Sequence, residues 1–347
     1  MDGGRLIGKG SKSCVFIPSL PCSGSDSINN DKISKIMYGK KATKLIKQEK
    51  KLNKRIISIK NSKKWAITFE EYCKPIELME LSNFDHEGIQ DCLRGEDYDL
   101  AINFNRNSQM MIGEYGGVTL EEYFIENFSN IKSSKTMEKD FLELIKMMKT
   151  LFIGLVELEK HQIVHKDIKY NNIVLHKNTF KFIDFGLSSL LNDRKHFKER
   201  SLNEFKTTRI YTWYPIEYIF NYATNKELEI EIKRENIGNL RDGIDLYKEI
   251  HNIYNRDFRF IIDTCIHRIN LKIIDGESMF RGIDIYSLGI MIPSLFLTKS
   301  NIPSPFEKSN NKVISDFYLL CGKMTEPYYE DRISTKNALK ELNKIIK

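Results

Sequence analysis

Residues 163–175 read IVHKDIKYNNIVL and set a His, an Asp, a Lys and an Asn within eight positions, between two short apolar runs. The flanks, Ile163-Val164 and Ile173-Val174-Leu175, have the length and branched side chains of short buried strands. The polar middle is then a tight loop with core on both sides. Rigid loops of that kind carry functional sites. Any fold proposed for this chain has to pin this loop first.

The chain has 347 residues, enough for two domains or one two-lobed domain. An apolar fraction of 41% and a charged fraction of 29% are those of a soluble globular protein, and the net charge of +7 permits an acidic partner without demanding one. The run Leu288 to Leu297 is about half a membrane span and contains Pro293, so it reads as a buried helix and no membrane span is expected. Met1-Asp2-Gly3-Gly4-Arg5 has no apolar core of a secretory leader. Cysteines at 14, 22, 73, 92, 265 and 321 show neither a C-x-x-C pair nor close clustering. They are expected to be small hydrophobes in a reducing compartment, with no disulfide and no structural zinc.

Along the chain, RLIGKGSKSCVF (5–16) alternates and carries two glycines, and KISKIM (32–37) reads as a strand. From Lys40 to Ile57 the pattern is helical, with Leu45, Glu49, Leu52 and Ile56 on one face. SQMMIGEYGG (108–117) reads as a strand ending at a Gly-Gly break. Thr136 to His161 reads as one long amphipathic helix. KFIDFGLSSLL (181–191) follows the loop. The stretch 222–280 is charged and helical, with a stripe of Leu246, Ile250, Ile253 and Tyr254, and GIDIYSLGIMI (282–292) opens another buried helix. The first half is strand-rich with one prominent helix and the second mostly helical, an α+β organisation in two unequal lobes that break near Gly116-Gly117.

Several polar residues stand where they need a partner or a ligand. Gly8 and Gly10 let the backbone lie close to an anion with its N–H groups turned toward it. Lys35 shares a strand face with Ile33 and Met37, and Glu49 on the apolar stripe of the next helix is a candidate partner. Asp184 follows an apolar strand, with Gly186 permitting a turn. It stands twelve positions after Asn172, a spacing that places both near one metal ion. Phosphoryl transfer from a nucleoside triphosphate needs these parts: close amides, a lysine, metal ligands, and a carboxylate to orient the attacking hydroxyl.

With these residues in hand, the chain resembles a eukaryotic-type protein kinase. HKDIKYNN resembles the family's H-R-D-L-K-x-x-N catalytic loop, and DFG (184–186) is intact. GKGSKSCV resembles the glycine-rich loop, GEYGG the hinge, YPIE (214–217) the A-P-E element, DIYSLG the D-x-W-S-L-G helix and EDRIS (330–334) the late arginine segment. These motifs keep the family order from residue 7 to residue 334. The resemblance implies a bilobal kinase fold, with a small β-rich N-lobe over 1–115 and a mostly helical C-lobe over 116–347. The latter would hold the catalytic loop 165–172, the activation segment 184–217 and a helical insertion over about 219–280. It implies Asp167 as catalytic base, Lys169 on the moving phosphate, and Asn172 and Asp184 as ligands of Mg2+, with Mn2+ the alternative ion. ATP would be held by Ile7, Gly8, Lys9, Gly10, Ser11, Val15, Lys35, Glu49, Glu114 and Tyr115. His165, Glu217, Asp284 and Arg332 would be structural supports, with Arg332 paired to Glu217 and Asp284 beneath the catalytic loop.

A Lys two positions after the base resembles the serine/threonine version of the loop, so Ser/Thr transfer to protein substrates is expected. No threonine stands in the register where such enzymes usually place one to orient substrate. Ser13 replaces the third glycine, Ile216 the proline of A-P-E, and Lys166 the arginine that usually receives an activation-loop phosphate as a bidentate fork, which lysine cannot do. Thr207, Thr208 and Tyr211 are candidate phosphosites. Glu217 and Asp284 stand 67 positions apart, far more than the family usually has, so the insertion is expected to shape partner choice. The Lys-rich run 40–65 is read as the solvated face of a helix, with nucleic-acid or anionic-surface binding the less favoured reading. The Ile/Asn/Lys-rich composition and compact motifs resemble kinases of large DNA viruses. An intracellular, cytoplasmic monomer is expected, in host cytoplasm or virion if viral. The alternative function is a pseudokinase that binds ATP or a partner.

Overall fold

The computed structural model describes residues 4–10, 12–24, 31–77, 83–94, 104, 108–129, 134–206, 211–224, 226–227, 244–272, 274–299 and 311–347. Ser11, Thr207, Thr208 and residues 228–243 of the insertion lie outside the described residues. The chain divides into two compact units, Met1–Gly117 with Ile183–Leu187, and Val118–Phe182 with Ser188–Lys347. The DFG turn, placed with the C-lobe by sequence, thus groups with the first unit.

The first unit runs β1 (Arg5–Gly10), β2 (Ser13–Ile17), β3 (Lys32–Met37), α1 (Ala42–Ile57), β4 (Phe69–Cys73), α2 (Asn83–Leu93) and β5 (Gln109–Glu114). The strands form one antiparallel sheet in the order β1-β2-β3-β5-β4. Register puts Val15, Lys35, Met111 and Tyr72 in line across β2, β3, β5 and β4. Side chains alternate faces along a strand, so the next row, Cys14, Ile36, Met110 and Cys73, lies on the other side.

Each face is covered by its own helix. Ala42 and Ile46 of α1 pack with Met37 and Met111, while Ile89 and Cys92 of α2 join Cys14, Phe16, Ile36 and Met110. The buried line of α1 is Ala42, Ile46, Glu49, Asn53 and Ile56; Leu45 and Leu52, expected on the stripe, sit half-buried at its rim. Lys44, Lys47, Lys51 and Lys54 line the exposed side of α1.

Four cysteines depart from expectation. Cys14 bonds to Cys92 and Cys22 to Cys73, each with Cα atoms 5.9 Å apart. The first ties β2 to α2 and the second ties the β2–β3 connection to β4. The partners stand 78 and 51 positions apart, so sequence spacing could not pair them; only the sheet and α2 bring them within bonding reach. The two pairs remove the ground on which a reducing compartment was expected. Cys265 and Cys321 are free and buried, as small hydrophobes.

The second unit contains α3 (Leu120–Phe128), α4 (Ser134–Met147), α5 (Lys149–Lys160), β6 (Ile163–Val164), β7 (Ile173–His176), β8 (Thr179–Phe182), β9 (Ser189–Leu190), α6 (Arg194–Lys206), α7 (Ile216–Phe220), α8 (Ile244–Ile253), α9 (Phe258–Asn270), α10 (Gly276–Lys299), α11 (Lys312–Met324) and α12 (Thr335–Ile345). The helix expected from Thr136 to His161 is two helices, broken at Met148. Thr150 sits at the break; its hydroxyl donates to the Met147 and Phe180 carbonyls, a side-chain competition that apolar periodicity does not reveal.

The quoted loop is held as its flanks require: β6 pairs with β9 and β7 with β8, both antiparallel. Within 184–217, Arg194–Lys206 form α6, which carries Phe197 into a stacked contact with Phe280 at 4.0 Å and donates the Ser201 hydroxyl to the Tyr218 carbonyl at 2.7 Å. The long helix α10 is apolar and long enough to cross a membrane, but 83% of its most apolar window is buried inside the protein, so it serves as a core helix.

This core takes in Lys166. Lys166 is 1% exposed, with Nζ over the Phe197 ring at 4.6 Å and 3.4 Å from His196 Nδ1. Burial pushes its ammonium down to about 7, against the pull of Asp284 and Asp193. Below about pH 7 the folded chain bears the full penalty of a buried charge. Above it the folded chain has released the proton while the unfolded chain keeps it up to the ordinary value of 10.5, so the penalty fades as pH rises.

Two outcomes follow. Peptide mapping after alkylation without reductant should recover linked peptides 14–92 and 22–73 and label only Cys265 and Cys321, in unfolded protein. Loops of 51 and 78 positions imply about 4 kcal/mol per link, so reductant should lower the Tm clearly. Separately, Lys166→Met should raise the Tm by several degrees near pH 6 and by progressively less toward pH 10.

Candidate active site

In the first unit, the sheet face under α1 collects the charged groups. Gly8 pairs with Val15 across β1 and β2, and Val15 with Lys35 across β2 and β3. The register of β1 shifts between Leu6 and Gly8, leaving Ile7 at the bulge with 42% exposure. A Cβ on Gly8 would meet Val15 only at 3.8 Å, an ordinary contact, so packing alone does not demand glycine there. Without a side chain there, the backbone is able to come close to a ligand. Gly10 pairs with Ser13 at the tip, and Lys9 Nζ donates to the Arg94 carbonyl at 2.8 Å. At the far end of β5, Glu114 and Tyr115 are exposed, and Tyr115 N–H donates to the Asp31 carbonyl at 3.3 Å.

Lys35 is buried, and its ammonium lies 2.7 Å from Asp184 Oδ1 and 3.4 Å from Glu49 Oε1. The partner expected from sequence is therefore present but is the longer of the two. Burial pulls the Lys35 ammonium down, but Asp184 and then Glu49 outweigh it and hold it above its ordinary value. Burial pushes Glu49 up to about 7, with Lys35 pulling back and Asp184 adding to the rise. Glu49 Oε2 is buried without a hydrogen-bond partner among the described residues. Asp184 sits at φ +58, in the left-handed region, and its Oδ1 also accepts from Gly186 N–H at 3.2 Å. A Cβ on Gly186 would lie 3.1 Å from both Asp184 Oδ1 and Glu49 Oε2, tighter than most side-chain contacts, so glycine lets the turn approach α1 without pushing these carboxylates aside. Two carboxylates here share one ammonium, and one buried oxygen is orphaned. This hard-oxygen, electron-rich group fits a divalent cation at Asp184.

In the second unit, Asp284 of α10 holds the loop from within. Its Oδ2 accepts His165 N–H at 2.6 Å and its Oδ1 accepts Lys166 N–H at 2.9 Å. Burial pushes the Asp284 carboxyl upward against the pull of His165 and those two N–H groups. Lys166 has φ +62, a conformation that these bonds hold in place. His165 is buried; its Nδ1 accepts Asp167 N–H at 3.3 Å, and its carbonyl accepts the Ser188 hydroxyl at 3.0 Å.

Asp167 lies beyond this anchor. Its Oδ2 accepts Asn172 Nδ2 at 2.7 Å and faces Lys169 Nζ at 3.2 Å. Asn172 Nδ2 also donates to the Asp167 carbonyl at 2.8 Å. Both amide protons are thus committed, which leaves the amide oxygen as the atom a metal can use. Asp167 Oδ1 accepts the Tyr211 hydroxyl at 2.5 Å. The sequence marked Tyr211 as a candidate phosphosite; no spacing rule connects it to a residue 44 positions away.

Glu217 and Arg332 form a buried pair, Nη2 to Oε1 at 2.9 Å, each side chain 1% exposed. Glu217 Oε2 accepts Tyr329 N–H at 3.1 Å, and Arg332 donates to the carbonyls of Gly282, Glu326 and Pro327. So many partners are what a buried ion pair needs to offset its desolvation.

A family profile described as Protein kinase domain matches residues 34–215, more than half of the chain. A dual specificity protein kinase of Dictyostelium discoideum, zakA, is 44% identical over 82 residues, covering 23% of this chain and 10% of that protein. A second Dictyostelium discoideum protein, zak2, also named a dual specificity protein kinase, is 38% identical over 76 residues, covering 22% of this chain and 12% of that protein. A protein of Acanthamoeba polyphaga mimivirus that carries the name of a serine/threonine-protein kinase is 26% identical over 207 residues, covering 57% and 32%. The chain spans about a third or less of the length of these curated relatives. An α+β fold with a five-stranded first unit and a helical second unit, an intact DFG turn and a pinned HKDIKYNN loop all accord with the profile match: this chain belongs to the protein kinase domain family.

Proposed function

We infer that the protein transfers the γ-phosphate of ATP to hydroxyl groups of protein substrates, with Ser/Thr as acceptors. The observation that carries this reading is Asp167, a carboxylate fixed by Asn172 and Lys169 on a loop pinned by Asp284. In the transfer, the acceptor oxygen bonds to phosphorus, the bond to the ADP oxygen breaks, and the hydroxyl proton passes to Asp167. Lys169, on the same loop, balances charge on the moving phosphoryl group. In the first unit Lys35 binds phosphate oxygens, Glu49 keeps its ammonium in place, and the β1–β2 backbone offers N–H groups. Mg2+ or Mn2+, when bound, neutralises phosphate charge; Asp184 and Asn172 are the proposed ligands, one carboxylate and one amide oxygen.

Acceptor class rests on less. Lys169 stands two positions after the base, and the mimivirus relative carries a serine/threonine name. The two Dictyostelium relatives are named for dual specificity, so tyrosine transfer is the outcome that would revise the class. The helices α8 and α9, with the rest of the 219–280 insertion, are proposed to select the protein substrate.

Labelled γ-phosphate from Mg-ATP should pass to histone or casein and appear as phosphoserine or phosphothreonine. Asp184→Asn and Asp167→Ala should each lower transfer by about 10²-fold or more. If wild type matches these variants on every acceptor and ATP leaves its Tm unchanged, the transfer reading is wrong and a partner-binding role replaces it.

A further inference from the structure

Tyr211 is an anchored residue. Its ring lies edge-on to Tyr214 at 4.8 Å, and the Arg200 guanidinium sits 5.7 Å from both ring centres. Arg200 is fixed in turn: it pairs with Glu204 at 2.9 Å along α6 and its Nε donates to Tyr214 Oη at 3.3 Å. Tyr214 Oη donates to the Lys166 carbonyl at 2.5 Å. Two tyrosines that share one arginine therefore reach the catalytic loop at neighbouring residues, one at the Lys166 backbone and one at the Asp167 carboxylate.

The terminal torsion of an aspartate is broad and nearly two-fold, so a carboxylate held at one oxygen still has freedom to tilt. Among the described residues, Asn172 and Lys169 make their contacts at Asp167 Oδ2. Tyr211 Oη at 2.5 Å from Oδ1 is what holds the other oxygen. Burial and the adjacent Asp167 charge push the Tyr211 phenol far above its ordinary value, so it remains a donor throughout the working pH range.

We propose that Tyr211 is a positioning residue for phosphoryl transfer: by donating to Asp167 Oδ1 it fixes the orientation in which the carboxylate meets the acceptor hydroxyl. The proposal rests on the reading of Asp167 as the base. A carboxylate oxygen has two lone-pair directions, so the phenol takes one and leaves the second for the acceptor's proton. The opposite role, a phenol that mimics substrate and must leave before reaction, fits less well with a ring held against Tyr214 and Arg200.

The experiment compares wild type, Tyr211→Phe and a protein with 4-aminophenylalanine at position 211, measuring kcat, KM for ATP and Tm. Loss of orientation predicts a kcat roughly tenfold or more lower in Tyr211→Phe. KM for ATP should stay within about twofold and Tm should hold, a split that a merely structural role would not give. The amino analogue returns a donor to the same place and should restore kcat, even if phenylalanine costs some stability. A Tyr211→Phe protein as fast as wild type, or faster, overturns the proposal, as does an amino analogue that restores Tm but not kcat. An inert wild type overturns the kinase reading and this proposal together; an active wild type with an indifferent Tyr211 overturns this proposal alone.

Discussion

Two neighbouring backbone N–H groups, those of His165 and Lys166, converge on one buried carboxylate, Asp284. The loop over 165–172 has its shape because of this contact. Lys166 stands in the left-handed region at φ +62, a conformation that costs a residue with a side chain of order 1 kcal/mol or more unless its surroundings over-determine it. Asp284 supplies that constraint, and it can do so because α10 is buried on every side from Ile283 to Phe296: Ile283, Ile285 and Leu288 around it are all excluded from solvent. A surface carboxylate would exchange these N–H bonds for water. A core helix therefore sets the position of a loop more than a hundred residues earlier in the chain.

The protein handles buried charge in three ways. Glu217 and Arg332 are fully desolvated but bound by a full set of hydrogen bonds, so the pair acts as a structural joint. Lys35 is shared between Asp184 and Glu49, and one oxygen of Glu49 is left orphaned. An incompletely satisfied polar cluster is poor for stability and suits a ligand that completes it. Lys166 has no carboxylate at hydrogen-bond distance from its ammonium among the described contacts and sits against Phe197 and His196. Where the family's arginine usually meets an activation-loop phosphate, this side chain is walled in by the segment's own helix, α6.

Much of this was legible in the sequence. The strands around the loop and the helix carrying Glu49 could be picked out because short apolar runs and periodicity are local signals; Glu217, Asp284 and Arg332 were named only through the resemblance to the kinase motifs. Pairings set by tertiary packing were not legible. Two disulfides join cysteines 78 and 51 positions apart, and α2 covers a sheet face that the pattern alone left unassigned. The helix breaks at Met148 although apolar periodicity carried it straight through: the Thr150 hydroxyl engages the Met147 carbonyl and also the carbonyl of Phe180, 30 positions on. Tyr211 was legible only as one of three candidate phosphosites.

The sequence by itself therefore determined which chemical groups the chain possesses and which short elements carry them, because side-chain periodicity and turn chemistry act over a few residues. The tertiary structure alone decided which atoms meet: that Lys35 lies closer to Asp184 than to Glu49, that Cys14 reaches Cys92, and that a tyrosine hydroxyl rests on Asp167. Hydrogen bonds and ion pairs depend on separations of about 3 Å. Distances that small between residues far apart in sequence are set only when the whole core has packed.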